Sequence, residues 1–134
     1  MTVDIKLQMR YWWKNAAQKW QTAKLLHKTK RFADCLFFAH LTIECLIKGL
    51  VILKTKNYAP YTHNLVILAG KAGLQTNNKI FDILKTTTTF NLTNRYPDDK
   101  FIFYKSIDKK YCDEWIKNID QLRLWLIKKY QTKK

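Results

Sequence analysis

His40, Glu44 and Lys48 are the polar residues of this chain whose types and spacing best suit chemistry. Each lies four residues from the next, so on a helix they stack on one face. An imidazole beside a carboxylate can hold a ligand or pass a proton. Two roles stay open for such a stripe. One is a charge ladder along the helix's single wet edge, each exposed pair contributing about 0.3–0.5 kcal/mol. The sequence alone favours that role. The other is the lining of a cleft or a subunit interface.

Other site chemistries find little support. The three His, three Cys and ten Asp or Glu are scattered, with no His-Glu-x-x-His or Cys-x-x-Cys spacing. His40-x-x-x-Glu44 supplies half of what a di-metal bundle needs, and no second pair matches it. Phosphate-cradling Gly-rich loops are absent, so neither a metal nor a cofactor is expected. Cys35, Cys45 and Cys112 sit in helical patterns beside apolar residues, as buried thiols do, which fits a reducing, cytoplasmic setting. Asp4, Lys6, Arg10, Lys14 and Lys19 interrupt the opening residues, so no signal peptide is read there.

The elements that must position the ladder read as helices. Apolar residues make up 47% of the 134, enough for a core, while three Gly and two Pro are too few for the turns of a β-sandwich. A first helix is predicted from about Asp4 to Thr29, with Met9, Trp13, Ala16, Trp20, Ala23 and His27 on its inner stripe and Ile5 and Trp12 widening it. The Trp residues share the buried period and read as core rather than as stacking platforms. Beside them run Lys6, Arg10, Lys14, Gln21, Lys24 and Lys28, a basic stripe. A second helix, from about Phe32 to Lys56, is apolar nearly all round, so it belongs in the middle of a bundle. Its ionisable residues at positions 40, 44 and 48 make a membrane span improbable.

Pro60 ends that helix. A third opens at Thr62 or His63 and closes near Gly73; a fourth is capped by Asn77 or Asn78 and weakened by Thr86–Thr89. Residues 91–105 read as irregular, with Phe101-Ile-Phe-Tyr as a short extended piece. Ser106 or Asp108 then caps a last helix to about Tyr130, with Lys128, Lys129, Lys133 and Lys134 at its C-terminal end. The expectation is one all-α domain over residues 1–134, an antiparallel up-and-down bundle of four to five helices.

The net charge of +15 is spread evenly: residues 1–67 carry 11 basic and 3 acidic side chains (+8), and residues 68–134 carry 14 and 7 (+7). Such a field attracts polyanions or an acidic partner, unless the lysines merely solvate the outer faces.

The order of several segments resembles the HEPN family, the "higher eukaryote and prokaryote nucleotide-binding" domain. These are the Trp13-to-Ala23 helix, then Arg31-Phe-Ala-Asp-Cys-Leu-Phe-Phe-Ala-His40-Leu-Thr-Ile-Glu44-Cys-Leu-Ile-Lys48-Gly-Leu, Tyr61-Thr-His63-Asn-Leu, and Asn94-Arg-Tyr-Pro-Asp98 before a final helix. The resemblance covers nearly the whole chain. It implies a helical bundle, usually a homodimer, that often accompanies a minimal nucleotidyltransferase, frequently in toxin–antitoxin pairs. Other members are metal-independent ribonucleases that use an Arg followed by a His after four to six residues. Here Arg95 is followed at positions 100, 101 and 102 by Lys, Phe and Ile, and Arg10, Arg31 and Arg123 also lack that His. Without the imidazole there is no obvious general acid or base to work on a ribose 2′-hydroxyl. The expectation is therefore a non-catalytic, dimeric partner or substrate-binding subunit for a nucleotidyltransferase, with nucleotide or RNA held by His40, Glu44, Lys48, Arg95 and Tyr96. The alternative is a stand-alone RNA-binding module or a metal-independent ribonuclease. Arg95-Tyr-Pro97-Asp also reads simply as loop structure, and His63 as a helix-start residue tied to Asn64 and the backbone.

Overall fold

A helix that is apolar on almost every side must be surrounded, and the other elements are arranged to do that. In a computed structural model that describes residues 3–93 and 95–132, the chain forms α1 (Ile5–Lys28), α2 (Phe32–Thr55), α3 (Leu65–Lys71), α4 (Asn78–Thr88), α5 (Pro97–Ser106) and α6 (Lys109–Thr132). No strand occurs among the described residues. Asn94, Lys133 and Lys134 lie outside them.

α2 lies at the centre: α1 packs along its length, α6 and α3 cover further faces, and α4 and α5 touch it at the edges. Leu36, Ile43, Ile47 and Leu50 of α2 are fully enclosed, as are Ile119, Leu122 and Leu126 of α6. Ala16 and Ala23 put small side chains on the buried face of α1, which lets its backbone come close to α2. α2 is long and apolar enough to cross a bilayer, with a mean hydropathy of 1.9. Most of that stretch is instead packed inside the bundle.

The starts follow from short polar side chains. Asp4 accepts from the Leu7 amide, Asn64 from Val66 and Ile67, Asn77 from Ile80, and Asp108 from Tyr111, each filling orphan amides of a first turn. α2 ends where Lys56 turns left-handed (φ 60°).

Two expectations are corrected. Residues 97–106 are helical, not irregular, and Phe101–Tyr104 is not extended. Pro97 occupies the first turn with Asp98 and Asp99 beside it, a start that Pro's fixed φ and the helix dipole both favour. Phe103 fixes the short helix to the core against Phe90, with ring centroids 6.1 Å apart. α4 ends inside the threonine run, at Thr88, whose hydroxyl donates to the Leu84 carbonyl at 2.8 Å, and Thr87 is buried. The bundle thus holds six helices among the described residues, α5 being the one the sequence pattern did not announce.

Candidate functional site

The ladder does lie on one face of α2, but it is not a wet edge. His40 is 0% exposed, Glu44 5% and Lys48 6%. The segment between α2 and α3 folds back over that face, and Trp12 of α1 covers its other end. Glu44 is the hub. Its Oε2 accepts from Lys48 Nζ at 3.1 Å, and its Oε1 accepts from His63 Nδ1 at 2.8 Å. Lys48 Nζ also lies 5.1 Å from the centre of the Trp12 ring. One carboxylate therefore holds a buried ammonium and an imidazole from a different segment.

His40 closes the arrangement. Its Nε2 donates to the His63 carbonyl at 3.3 Å and stands 3.8 Å from Glu44 Oε1. Since a carbonyl only accepts, Nε2 carries the proton, and Nδ1 is left buried with no partner among the described residues. The ring stacks on Phe37 at 6.5 Å. Burial lowers the His40 pKa below the ordinary 6.5, and the opposing pull of Glu44 does not offset it. The side chain is a neutral strut.

That strut makes stability pH-dependent. With the folded pKa below the unfolded one, the unfolded chain takes up the proton first, so stability falls as pH drops below about 6.5. The slope for one proton reaches about 1.4 kcal/mol per pH unit. Urea midpoints measured between pH 7.5 and 5.5 are expected to fall in the parent and to flatten in His40→Leu. A parallel decline in both would assign the effect elsewhere.

His63 is the residue that sequence reasoning undervalued. Its partner is Glu44, nineteen positions away in sequence, rather than Asn64, which instead caps α3. Its side chain stays 38% exposed, and Nε2 has no partner among the described residues. The available signal was the mismatch on α2: three ionisable groups on a helix with no wet side need donors or acceptors from another segment.

Arg95 and Tyr96 are held elsewhere. Arg95 donates through Nε to the Asn91 carbonyl at 3.3 Å and through a second nitrogen to the Thr89 carbonyl, and its guanidinium lies 5.1 Å over Phe103. None of these groups takes part in the ladder, and no contact among the described residues joins Arg95 to His40. Tyr96 precedes α5 and is 79% exposed. The guanidinium is committed to closing the loop after α4.

The basic stripe is different. Lys6, Arg10, Lys14, Lys24 and Lys28 are all exposed, and none has an ion-pair partner among the described residues. At 100° per residue they fall within about 80° of arc. Leu7, Tyr11 and Leu25, each more than half exposed, flank them. Trp13 is also 39% exposed, its ring edge-on to Tyr130 at 4.7 Å, so not every Trp of α1 is core. Where α1 meets α6, a groove of about 250 Å³ is lined by Trp13, Trp20, Gln21, Lys24 and Arg123 among others. Arg123 bonds Asp120 at 2.9 Å and stacks 4.8 Å over Trp20, which leaves Lys24 as the uncommitted cation of the groove among the described residues.

Cys35, Cys45 and Cys112 are buried, and burial with neighbouring Glu44 pushes the Cys45 thiol up to about 11. With that shift the Cys45 thiol stays protonated and unreactive at neutral pH. No cluster of three or more His, Cys, Asp or Glu suited to a metal ion occurs among the described residues.

The model of the HEPN domain family matches residues 9–130. Among solved structures, the crystal structure of TT1696 from Thermus thermophilus superposes with a TM-score of 0.75 at 16% identity. The match covers 91% of this chain and 98% of that one, and at this identity the likeness is one of fold. No curated protein matches the chain.

Proposed function

The chain belongs to the HEPN domain family, and from that footing we propose a non-catalytic member: a dimeric helical subunit that binds nucleotide or RNA phosphate and works beside a nucleotidyltransferase, as paired toxin–antitoxin members do. The observation that carries the binding part is the α1 stripe, five exposed cations without ion-pair partners among the described residues, on a face about 36 Å long. Phosphate contacts of that kind supply affinity without reading sequence, and flanking Tyr11, with Trp13 at the groove, offers flat apolar surface for bases.

Two observations support the non-catalytic part. The family's His is missing after every Arg, and His40, the ladder's own imidazole, is enclosed and bonded to backbone. An enclosed, backbone-bonded imidazole offers no general acid or base to a ribose 2′-hydroxyl, and the Arg95 guanidinium is bonded to the Asn91 and Thr89 carbonyls.

Binding of a labelled single-stranded RNA is expected to weaken steeply between about 50 and 200 mM salt. Replacing Lys6, Arg10, Lys14, Lys24 and Lys28 by Gln is expected to flatten the slope of log K against log salt by about 0.7 for each phosphate no longer neutralised. Affinity at low salt is expected to drop at least about tenfold. An unchanged slope would remove this face from the reading. Co-purification with a co-expressed nucleotidyltransferase from the same operon tests the partner, and RNA binding without it would leave the stand-alone module.

A further inference from the structure

We infer that Cys35 and Cys112 are a redox pair, two thiols that a small hydroperoxide converts into a disulfide joining α2 to α6. Each is the fourth residue of its helix, and the two helix starts meet at one end of the bundle. A helical side chain leans toward its own N-terminus, so the Cys35 sulfur lies over the turn that carries the Phe32 carbonyl. From α6, Cys112 Sγ donates to that same carbonyl at 3.7 Å. The two sulfurs are thereby neighbours, and they hydrogen-bond to each other. Both residues are 0% exposed. The start of α6 is also held from a second side. Asp113, next to Cys112, accepts from His27 Nε2 of α1 at 2.6 Å and from Lys109 Nζ at 2.7 Å.

The pair is asymmetric, and the asymmetry gives each sulfur a role. The bond from Cys35 holds the Cys112 thiol below its ordinary range, and that bond, with burial, pushes Cys35 well up. Cys112 is the sulfur that attacks. It bonds to one oxygen of the peroxide, the O–O bond breaks, and the leaving hydroxide takes the thiol proton as water. Cys112 is then a sulfenic acid. Cys35 attacks that sulfur, the S–O bond breaks, and a second water carries off the Cys35 proton. The two sulfurs have given two electrons to the peroxide. Burial selects the oxidant. A bulky disulfide has no path to sulfurs so enclosed, whereas a hydroperoxide little larger than water needs only a brief opening of the helix ends. A cavity of about 220 Å³, lined by Phe32, Ala33, Asp34 and Ile107 among others, already comes up to the residues that flank Cys35. Cys45 stands about 15 Å along α2 from Cys35, out of reach of the pair. In a compartment that keeps thiols reduced, such a bond is transient and reports the oxidant rather than building the fold.

The full chain is to be treated with hydrogen peroxide without denaturant, then unfolded and alkylated. Of its three thiols only Cys45 is expected to take the label. The mass is expected to fall by two hydrogens, with one cross-linked peptide that contains Cys35 and Cys112, and dithiothreitol is expected to restore all three thiols. Closing the long loop between the two residues restricts the unfolded chain, so the oxidised protein is expected to melt about 5–15 °C above the reduced one. Cys35→Ala removes the second attack, so the Cys112 sulfenic acid is expected to persist and to be captured by dimedone. Cys45→Ala is expected to form the disulfide as the parent does. Three free thiols after peroxide would overturn the inference. So would a bond that includes Cys45 or joins two chains, or a Cys35–Cys112 bond that forms only in urea. The peptide map of the parent decides even where Cys35→Ala fails to fold.

Discussion

Glu44→Leu is expected to cost about 3–5 kcal/mol of folding stability, the range for removing one partner of a buried ion pair. The mechanism is the charge left behind. Lys48 is 6% exposed, and once Glu44 is gone its ammonium keeps only the face of Trp12. His63 loses its side-chain anchor in the same step, because Glu44 Oε1 is the group that holds its Nδ1. The segment from Asn57 to Asn64 is therefore expected to exchange its amides faster than α1 or α6 in hydrogen exchange. Lys48→Met in the same chain is expected to recover much of the loss, since an apolar pair of similar volume needs no counter-charge. Urea unfolding of the parent, both single variants and the double variant closes the cycle. A Glu44→Leu protein within about 0.5 kcal/mol of the parent, as at a plain surface site, would show that the ladder is solvated after all.

The helices were legible wherever their causes are local. Asp4, Asn77 and Asp108 cap where short polar side chains precede an apolar period, and the central position of α2 follows from its lack of any polar side. What misled was distance along the chain. Spacing alone puts His40, Glu44 and Lys48 on one face, yet whether that face meets water depends on a segment folding back from beyond position 57. No i, i+4 rule reports that. The same holds for Arg95, whose acceptors are carbonyls of its own loop, a local arrangement that competes with any cleft. α5 failed for another reason. Its ten residues mix charge and aromatics without an amphipathic period, because its outer face is apolar as well as its inner one. The basic stripe, by contrast, was readable in full, since exposure on a surface helix is set by its own period.

Gly49→Ala is expected to destabilise the fold by about 1–3 kcal/mol, against the usual sign for a helix interior. Alanine ordinarily gains about 0.8–1 kcal/mol over glycine there. At this position a Cβ would overlap the Tyr130 hydroxyl and sit 3.1 Å from the ring's Cζ. Tyr130 cannot simply swing away. It is 8% exposed, donates its hydroxyl to the Leu46 carbonyl one turn back on α2, and packs edge-on against Trp13. Overpacking of that kind costs more than helix propensity returns. Glycine at position 49 is thus the notch through which the end of α6 locks onto α2 and α1. Tyr130→Phe tests the notch directly. In the parent it removes a buried hydrogen bond and is expected to cost about 0.5–1.5 kcal/mol. In the Gly49→Ala background it also removes the atom in the way, so its cost is expected to shrink or reverse. The resulting coupling is expected to be about 1 kcal/mol or more by urea unfolding. Strictly additive effects would mean that the α6 end slides to make room for the methyl, and that the lock resides elsewhere in the α2–α6 contact.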